Sequence, residues 1–207
     1  MRILKDDTYK SILQAARDEF IRSGYKDTSM RAIAKRADVG LSNIYNYFKN
    51  KDEIFLAIVK PAKDEIFTFI SQQHTEGNAK PERISTFHCH DEAIESYIRL
   101  IEKYKQELRL LLYHSEGSSV KDFRDTFTDH ITQVSSNYMA LVKKHYPQAN
   151  DVSSFFMHAL ASWMVSILGE IITHDLNRRQ IREFFREYFK YEIAGWCELT
   201  GIRREAG

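Results

Sequence analysis

Hydrophobic residues along most of the chain recur with a helical period of three to four residues. Between residues 7 and 23, Ile12, Ala16 and Phe20 form one stripe, and Gly24 stands where a helix commonly ends. Sustained alternation of apolar and polar residues, the sign of a half-buried strand, does not occur, and the chain has only 8 Gly and 3 Pro. The pattern predicts an all-α fold.

A shorter periodic segment follows the first helix. In DTSMRAIAKRAD (27–38) apolar residues repeat with helical spacing, and Thr28 or Ser29 can cap the helix. The turn-forming residues 38–40 interrupt the pattern, and a second short helix is predicted over about 41–48. Two short helices joined by a three-residue turn form a helix-turn-helix.

The remaining pattern predicts longer helices. One begins near Lys51 and extends to about residue 73, and we expect Pro61 to kink or divide it. The polar stretch HTEGNAKPE (74–82) is the best linker candidate. Asn177 and Gln180 resemble a capping box for the final helix. After the linker, helices are predicted at about 83–103, 105–115, 119–145, 151–174 and 178–199.

The predicted architecture has two parts and about nine helices. A three-helix head (1–50) is linked by the helix 51–73 to a larger helical domain (74–207). Charge follows the same division, because residues 1–60 hold 12 Lys and Arg against 8 Asp and Glu, whereas residues 61–207 hold 18 against 21. The net charge of +1 therefore divides into +4 and −3, which suits a head that binds a polyanion.

Composition narrows the class of protein. With 43% hydrophobic and 29% charged residues, the 207-residue chain is typical of a globular protein. We find no run of 18 uncharged apolar residues and expect no membrane span. The start, MRILKDDTYK, has no apolar secretion signal, and Cys89 and Cys197 form no metal-type or redox-type pair. We expect two free thiols and a cytoplasmic protein.

The second short helix, LSNIYNYF (41–48), has too few apolar residues for a core helix. Ile44 and Phe48 can face inward together with Val39. Ser and Asn can bond base edges or phosphates, a leucine can meet a thymine methyl, and tyrosine hydroxyls can reach phosphates. Lys49 and Lys51 follow at the start of the next helix, where an anion is favoured. The outward set is Leu41, Ser42, Asn43, Asn46 and Tyr47.

The sequence TSMRAIAKRADVGLSNIYNYFKNKDEIF resembles the DNA-binding signature of the tetracycline-repressor (TetR) family of bacterial regulators. The resemblance implies a helix-turn-helix head that binds double-stranded DNA and a larger helical domain that dimerises and often binds a small molecule. It is continuous over residues 8–60 and includes the spaced residues Phe20, Gly24, Tyr25, Thr28 and Ser29.

The resemblance also implies roles for individual positions. Two positions depart from the family pattern: Asp38 stands where the family usually has glycine, and Gly40 stands where a small hydroxyl residue often caps the recognition helix. The second departure shifts the cap to Gly40 itself or to Ser42. Phosphates would be held by Thr28 or Ser29, Tyr45, Tyr47 and Lys51, and bases would lie near Arg31, Leu41, Ser42, Asn43 and Asn46.

Two wide apolar helices near the C-terminus predict a homodimer. The segment 151–174 carries a seam of small residues that would let another helix approach closely, and the segment 178–199 has an equally wide apolar stripe. The alternative is that both stripes complete the core of a monomer. The predicted interface residues are Ala159, Ser162, Ser166, Gly169, Thr173, Phe185, Tyr188, Phe189 and Trp196.

Aromatic and polar side chains mixed along the middle helices suit an apolar effector pocket with a few orienting groups. The segment HCHDE (88–92) invites a metal interpretation, but on a helix His88 and His90 diverge by about 200°. We therefore expect no metal site. The predicted pocket residues are Tyr97, Tyr104, Leu108, Leu112, Phe127, His130, Tyr138, Phe156 and Trp163.

The sequence bears on three classes of function: an enzyme, a DNA-binding regulator and an adaptor. The sequence has no phosphate-cradling glycine loop, nucleophile elbow or metal motif, so an enzyme is not expected, and neither is a cofactor. A ligand-responsive dimeric repressor that a small molecule releases from a palindromic operator is the leading hypothesis. The alternatives are an activator of the same fold and a helical adaptor that uses the N-terminal hairpin for protein contacts.

Overall fold

The computed structural model describes residues 2–79 and 91–202. Within these ranges the chain forms helices and no strand, which confirms the all-α prediction. The eight helices there are α1 (Arg2–Asp27), α2 (Met30–Arg36), α3 (Leu41–Tyr45), α4 (Lys51–Gln73), α5 (Asp91–Tyr113), α6 (Phe123–His145), α7 (Ser154–Thr173) and α8 (Arg178–Thr200).

One predicted interruption is present in the structure and another is not. Tyr104 departs from helical geometry (φ −121°, ψ 19°), so residues 91–113 (α5) consist of two helical segments joined at a kink, which confirms the predicted break between residues 103 and 105. Helix α4 continues through Pro61, whose ring lies on an exposed face. Water can satisfy the carbonyl that proline leaves unpaired there, so burial of apolar residues on both sides keeps the helix whole. Residues 83–90, part of another predicted helix, lie outside the described residues.

The chain divides into two compact units. The first comprises Met1–Glu65 and Tyr104–Arg124, and the second comprises Ile66–Lys103 and Asp125–Gly207. The boundaries fall inside α4, α5 and α6. This division differs from a head at 1–50 and a domain at 74–207, because residues 104–124 are distant in sequence from the head yet pack within its unit.

The core of the first unit is built on aromatic residues. Phe20 of α1 and Phe55 of α4 are fully buried, with ring centroids 5.0 Å apart in an edge-to-face arrangement. The Tyr25 ring lies 5.1 Å from that of Phe55. Such pairs contribute about 0.5–1.5 kcal/mol beyond their area burial. These aromatic contacts pack α1 against α4.

A buried carboxylate also ties α1 to α2. Glu19 is 4% exposed, and it accepts hydrogen bonds from Arg22 at 2.5 Å and from Arg36 of α2 at 2.6 Å. The bonds from Arg22 and Arg36 hold the pKa of Glu19 below its usual range, against the opposing effect of burial.

The second unit packs α5 against α7 and α8. Asn177 and Gln180 form the expected capping box at the start of α8. Outside the core, an ion-pair network joins α5 to α8, in which Arg178 and Arg182 meet Glu95, and Arg186 meets Asp91. The buried core contains Ile94, Ile98, Ile101, Ile171, Ile181, Phe185, Tyr188 and Phe189.

Helix α7 corrects the expectation that no segment is long and apolar enough to cross a membrane. Its mean hydropathy reaches 1.6 over an 18-residue window, although only 33% of that window is buried within the chain. The strict count of uncharged residues failed because a few polar residues interrupt a strongly apolar helix. Core helices of water-soluble proteins pass the same test, so this is weak evidence for a membrane span.

We predict that Glu19→Gln lowers the free energy of unfolding by about 1–3 kcal/mol at pH 7, because the buried Glu19 side chain loses its ionic hydrogen bonds with Arg22 and Arg36. The folded-state pKa of Glu19 is depressed, so its stabilisation is present above the unfolded-state pKa and is lost on acidification. The deficit should therefore shrink between pH 7 and pH 3 in urea titrations. Glu116→Gln, at an exposed site, is the control; an equal deficit in both variants contradicts the prediction.

Candidate nucleic-acid interface and apolar cavity

The turn between α2 and α3 adopts the conformation that the helix-turn-helix requires. Ser29 is the N-cap of α2, and its hydroxyl oxygen accepts from the Ala32 N–H at 3.1 Å. Asp38 has a φ of 54°, so it takes the left-handed conformation that glycine supplies elsewhere. Gly40 is the N-cap of α3 with no side-chain hydrogen bond, which resolves the choice between Gly40 and Ser42.

Helix α3 presents a polar face over a small apolar base. Ile44 and Phe48 are buried at 0% and 3% exposure, and Val39 is half-buried, as expected. The helix itself ends at Tyr45, and the residues up to Phe48 continue as turns. Of the outward set, Ser42 and Asn46 are exposed, and Leu41, Asn43 and Tyr47 are half-buried. Tyr45, which was not in that set, is also exposed.

An aromatic residue of α1 borders this face and was missed by the sequence analysis. Tyr9 is 37% exposed, and its ring lies 6.2 Å from Tyr47 and 5.2 Å from Phe48. Tyr9 therefore restricts the Tyr47 ring from one side. The signal available in the sequence was an exposed tyrosine one turn before the buried Ile12, which periodicity alone cannot place beside α3.

Two of the predicted phosphate ligands are occupied within the protein. Thr28 is buried, and its hydroxyl donates to the Gly24 carbonyl at 2.7 Å. The Lys51 ammonium donates to the carbonyl oxygens of Tyr25 at 2.6 Å, Thr28 at 2.7 Å and Lys26 at 3.2 Å. Because an ammonium has three hydrogens, Lys51 has no donor to spare. Both groups are therefore engaged within the protein, and their assignment to DNA phosphates stays a prediction.

The start of α4 is also less available to an anion than expected. Asn50 accepts from the Glu53 N–H at 2.9 Å, and Glu53 in turn accepts from the Lys49 N–H at 2.5 Å. Asp52 accepts from the Ser119 N–H at 2.9 Å. Carboxylates of the chain therefore occupy the positive end of this helix. The Lys49 side chain is exposed, as is Arg31 of α2, and both can reach a polyanion.

The second unit encloses an apolar cavity of about 190 Å³. Three predicted pocket residues, Tyr97, Phe127 and Tyr138, line it. Leu108 and Leu112 are instead buried in the first unit, where the Tyr104 hydroxyl donates to Glu65 at 2.6 Å.

The other three predicted pocket residues lie at the surface of the second unit. His130 stacks on Phe67 with ring centroids 4.5 Å apart and lies 3.2 Å from the Ser71 hydroxyl. Phe156 and Trp163 are 40% and 42% exposed. None of these three side chains lines the cavity, although Phe156 and Trp163 contact the lining residues Trp196 and Tyr188. Helical spacing did not distinguish these positions from the lining ones.

The predicted dimer residues separate into two groups. Phe185, Tyr188, Phe189 and Trp196 line the cavity, so these four side chains belong to the interior of their own chain. Gly169 is buried as well. In contrast, Ala159, Ser162 and Thr173 are exposed, and Ser166 is half-buried. Large apolar side chains lie exposed on the same two helices: Phe155 (79%), Trp163 (42%), Tyr191 (67%) and Leu199 (38%).

One acidic residue among the cavity-lining side chains was missed. Glu192 lies between Tyr188 and Trp196 at intervals of four residues on α8, and all three side chains line the cavity. Burial raises the pKa of Glu192 to about 7, although the neighbouring Trp196 and Tyr188 side chains oppose the shift. The available signal was a single Glu on an otherwise aromatic stripe.

The structure does not test the metal interpretation of residues 88–92. His88 and His90 lie outside the described residues, and in the described ranges no group of three or more His, Cys, Asp or Glu side chains could hold an ion. Of the two cysteines, Cys197 is a free thiol that lines the cavity.

Comparison with known proteins identifies the first unit. Residues 12–58 match the family model of bacterial regulatory proteins, tetR family. This segment belongs to the TetR family. The match covers α2, α3 and the adjoining parts of α1 and α4, so the TetR-family head is the helix-turn-helix described above.

Relatives of this chain include proteins named as transcription regulators. It is 45% identical over 67 residues to the helix-turn-helix-type transcriptional regulator YhgD of Bacillus subtilis (32% of this chain, 31% of the relative). It is 27% identical over 110 residues to the transcriptional activator FasR of Mycolicibacterium smegmatis (53% and 48%). The alignments thus span less than half the length of these relatives.

The fold likeness extends much further than the sequence likeness. NalD, the secondary repressor of the MexAB-OprM multidrug efflux pump in Pseudomonas aeruginosa, has a TM-score of 0.62 over 90% of this chain and 95% of its own, at 16% identity. At that identity the likeness concerns the fold alone.

We predict that Lys51→Met lowers the free energy of unfolding by about 1–3 kcal/mol, because three backbone carbonyls at the end of α1 lose a charged donor. Lys49→Met, two residues away with an exposed side chain, should change stability by less than about 0.5 kcal/mol. Urea unfolding of both variants measures the difference. Equal stability of the two variants would show that the Lys51 contacts contribute nothing.

Proposed function

We propose that the chain is a sequence-specific DNA-binding transcription regulator of the bacterial cytoplasm. The observation that carries the proposal is the polar face of α3, which rests on only Ile44 and Phe48 and leaves Ser42, Asn43 and Asn46 without a core partner. In a helix-turn-helix the second helix enters the major groove with its N-terminal residues at base edges. Amide side chains can bond adenine there, and a leucine can contact a thymine methyl.

The proposed interface separates positioning from base contacts. Ser29, Tyr45, Tyr47 and Lys49 carry hydroxyl or ammonium donors for phosphate oxygens, and they hold the head in register. Thr28 and Lys51 act indirectly, because their hydrogen bonds hold the backbone that leads into α2. Base edges are contacted by Arg31, Leu41, Ser42, Asn43 and Asn46.

A homodimer follows from the exposed apolar face of α7 and α8. Phe155, Trp163 and Tyr191 lie at 79%, 42% and 67% exposure, and contiguous apolar surface of this kind marks an interaction site. Ala159 and Ser162 lie exposed beside them and permit close approach of a second helix. Two heads related by a two-fold axis read a near-palindrome with half-sites roughly 34–36 Å apart.

The cavity is proposed to be an effector site. Helix α4 contributes Phe55 to the core of the head and Ile66, Phe69 and Ile70 to the cavity, so a ligand that displaces this helix changes the position of the head. The effect is release from DNA, which makes the protein a repressor. The activator FasR and the repressor NalD are both similar to this chain, so an activator of the same fold is the competing outcome.

The alternative hypothesis, a helical adaptor that uses the same hairpin for protein contacts, predicts a different dependence of binding on salt. Neutralising phosphates releases counterions, so a DNA binder loses affinity steeply as salt rises. An adaptor contact over α3, which carries no charged side chain from Leu41 to Phe48, would depend little on salt.

We predict salt-sensitive binding of the purified protein to its own upstream DNA, falling by about 10³-fold or more between 50 and 200 mM salt. Asn43→Ala should cost about 1–3 kcal/mol at one base position and relax the preference there. Tyr47→Phe should weaken all sequences by about 0.5–1.5 kcal/mol. Gel shifts over a mutated-site series measure both effects, with exposed Gln133→Ala of α6 as the control. Unchanged binding in both head variants contradicts the proposed orientation of α3.

We predict that Tyr191→Arg converts a dimer at micromolar concentration into a monomer, because it places a charge in the apolar face of α8. DNA affinity should fall at least about tenfold as the second head is lost. Analytical ultracentrifugation gives the mass, and Gln133→Arg adds the same charge at an exposed site elsewhere. A monomeric parent protein, or a Tyr191→Arg variant that still dimerises, excludes this face as the interface.

A further inference from the structure

Several hydrogen-bond donors around the cavity are already used within the protein. The Tyr138 hydroxyl donates to the Asn78 carbonyl at 2.8 Å, and the Thr200 hydroxyl donates to the Trp196 carbonyl at 2.6 Å. His74 Nδ1 lies 2.8 Å from the Ile70 carbonyl, so Nδ1 must carry the hydrogen of that bond. Burial lowers the pKa of His74, which favours the neutral ring with a lone pair on Nε2. These groups can offer a ligand acceptors only.

Glu192 is the acidic residue of the cavity lining, and it lies one helical turn from Tyr188 and from Trp196, which line the same cavity. A carboxylate is an acceptor with about four lone-pair sites. Glu192 can therefore accept hydrogen bonds from a donor that enters the cavity.

The cavity lining also lacks a partner for an anionic ligand. No lysine or arginine occurs among the described residues that form its wall. The hydroxyls of Tyr97 and Ser135 can donate or accept, and the Cys197 thiol is only a weak donor. A ligand carboxylate would therefore face Glu192 without a cation, and burial of two like charges is costly. Apart from these groups the wall is aliphatic, aromatic and methionine side chains, and the last adapt to irregular shapes.

We propose that the cavity binds an amphipathic amine, with an apolar body against the methionine and aromatic wall and a protonated amino head paired with Glu192. The proposal rests on the role of the cavity as effector site and adds the chemical class of the effector. The cation donates into the free lone pairs of Glu192 and neutralises a carboxylate that is otherwise held in apolar surroundings. The raised pKa of Glu192 agrees with a carboxylate that lacks a cation in the ligand-free chain.

A series of probes with one chain length and three head groups tests the proposal on the unmodified full chain. Decylamine is cationic at pH 7 like the lysine side chain, decan-1-ol is a neutral donor, and decanoate is an anion. Isothermal titration calorimetry should rank decylamine tightest, with decanoate weaker by about tenfold or more. Decanoate binding as tightly as decylamine, or no binding by any of the three, overturns the proposal.

A variant pair locates the head group. Glu192→Gln keeps the size of the side chain and removes its charge, so decylamine should bind about tenfold or more weakly while decan-1-ol changes little. Glu198→Gln removes the same charge from an exposed site on α8 and should leave all three affinities unchanged. Wild-type decylamine affinity in Glu192→Gln would place the amine elsewhere. Circular dichroism confirms folding, and the head-group ranking on the parent chain decides the proposal even if the variant is unstable.

Gel shifts of the same protein without any probe distinguish a failure of the amine-effector proposal from a failure of the DNA-binding proposal. Retained DNA binding together with the wrong head-group ranking overturns the amine effector alone. Loss of salt-sensitive DNA binding overturns the regulatory function even if decylamine binds as expected. Decylamine that binds at Glu192 should lower DNA affinity, whereas the Glu192→Gln variant should retain DNA affinity at the same decylamine concentration.

Discussion

The geometry of the DNA-binding head depends on one ammonium group. Helices end with carbonyl oxygens that have no partner within the helix, and at the end of α1 three carbonyls converge on Lys51. Gly24, with a φ of 74°, turns the chain so that this convergence is possible. The same ammonium lies 4.2 Å from the centre of the Tyr25 ring. Lys51 thereby joins the start of α4 to the backbone that leads into α2.

Because Lys51 holds that backbone, the recognition helix needs very little buried apolar surface to keep its position. Two buried side chains, Ile44 and Phe48, suffice for a helix of five residues and the turn after it. A short helix has little stability of its own, so its position derives from these contacts and from the turn at Asp38. Its remaining side chains are exposed or half-buried and do not belong to the buried core. That exposure is the physical reason a run of asparagines and tyrosines can serve as a recognition surface.

In the second unit, in contrast, most side chains that face the cavity are apolar, and polar ones are few. Helix α8 directs Phe185, Tyr188 and Phe189 inward, and the cavity forms where these side chains do not fill the space against α5 and α7. Glu192 lies among them in the cavity lining. A polar group retained in such surroundings costs stability, so its presence is more readily understood from binding than from folding.

The sequence by itself determined the local features. Periodicity predicted an all-α chain, and the turn residues predicted the helix-turn-helix. The cap at Asn177 followed from residue type and spacing, and the cap of α2 was narrowed to Thr28 or Ser29, of which the structure has Ser29. These features were predictable because each depends on interactions within a few residues. The family resemblance in residues 8–60 gave the DNA-binding interpretation that the match over residues 12–58 supports.

Only the tertiary structure decided which side of each wide apolar helix faces inward. Residues 178–199 carry apolar side chains over so much of the circumference that spacing could not separate the cavity wall from the exposed Tyr191. It also decided that Lys51 bonds carbonyls 23 to 26 residues away, and that residues 104–124 belong with the head. Contacts between residues distant in sequence leave no periodic trace, because they depend on where whole helices pack.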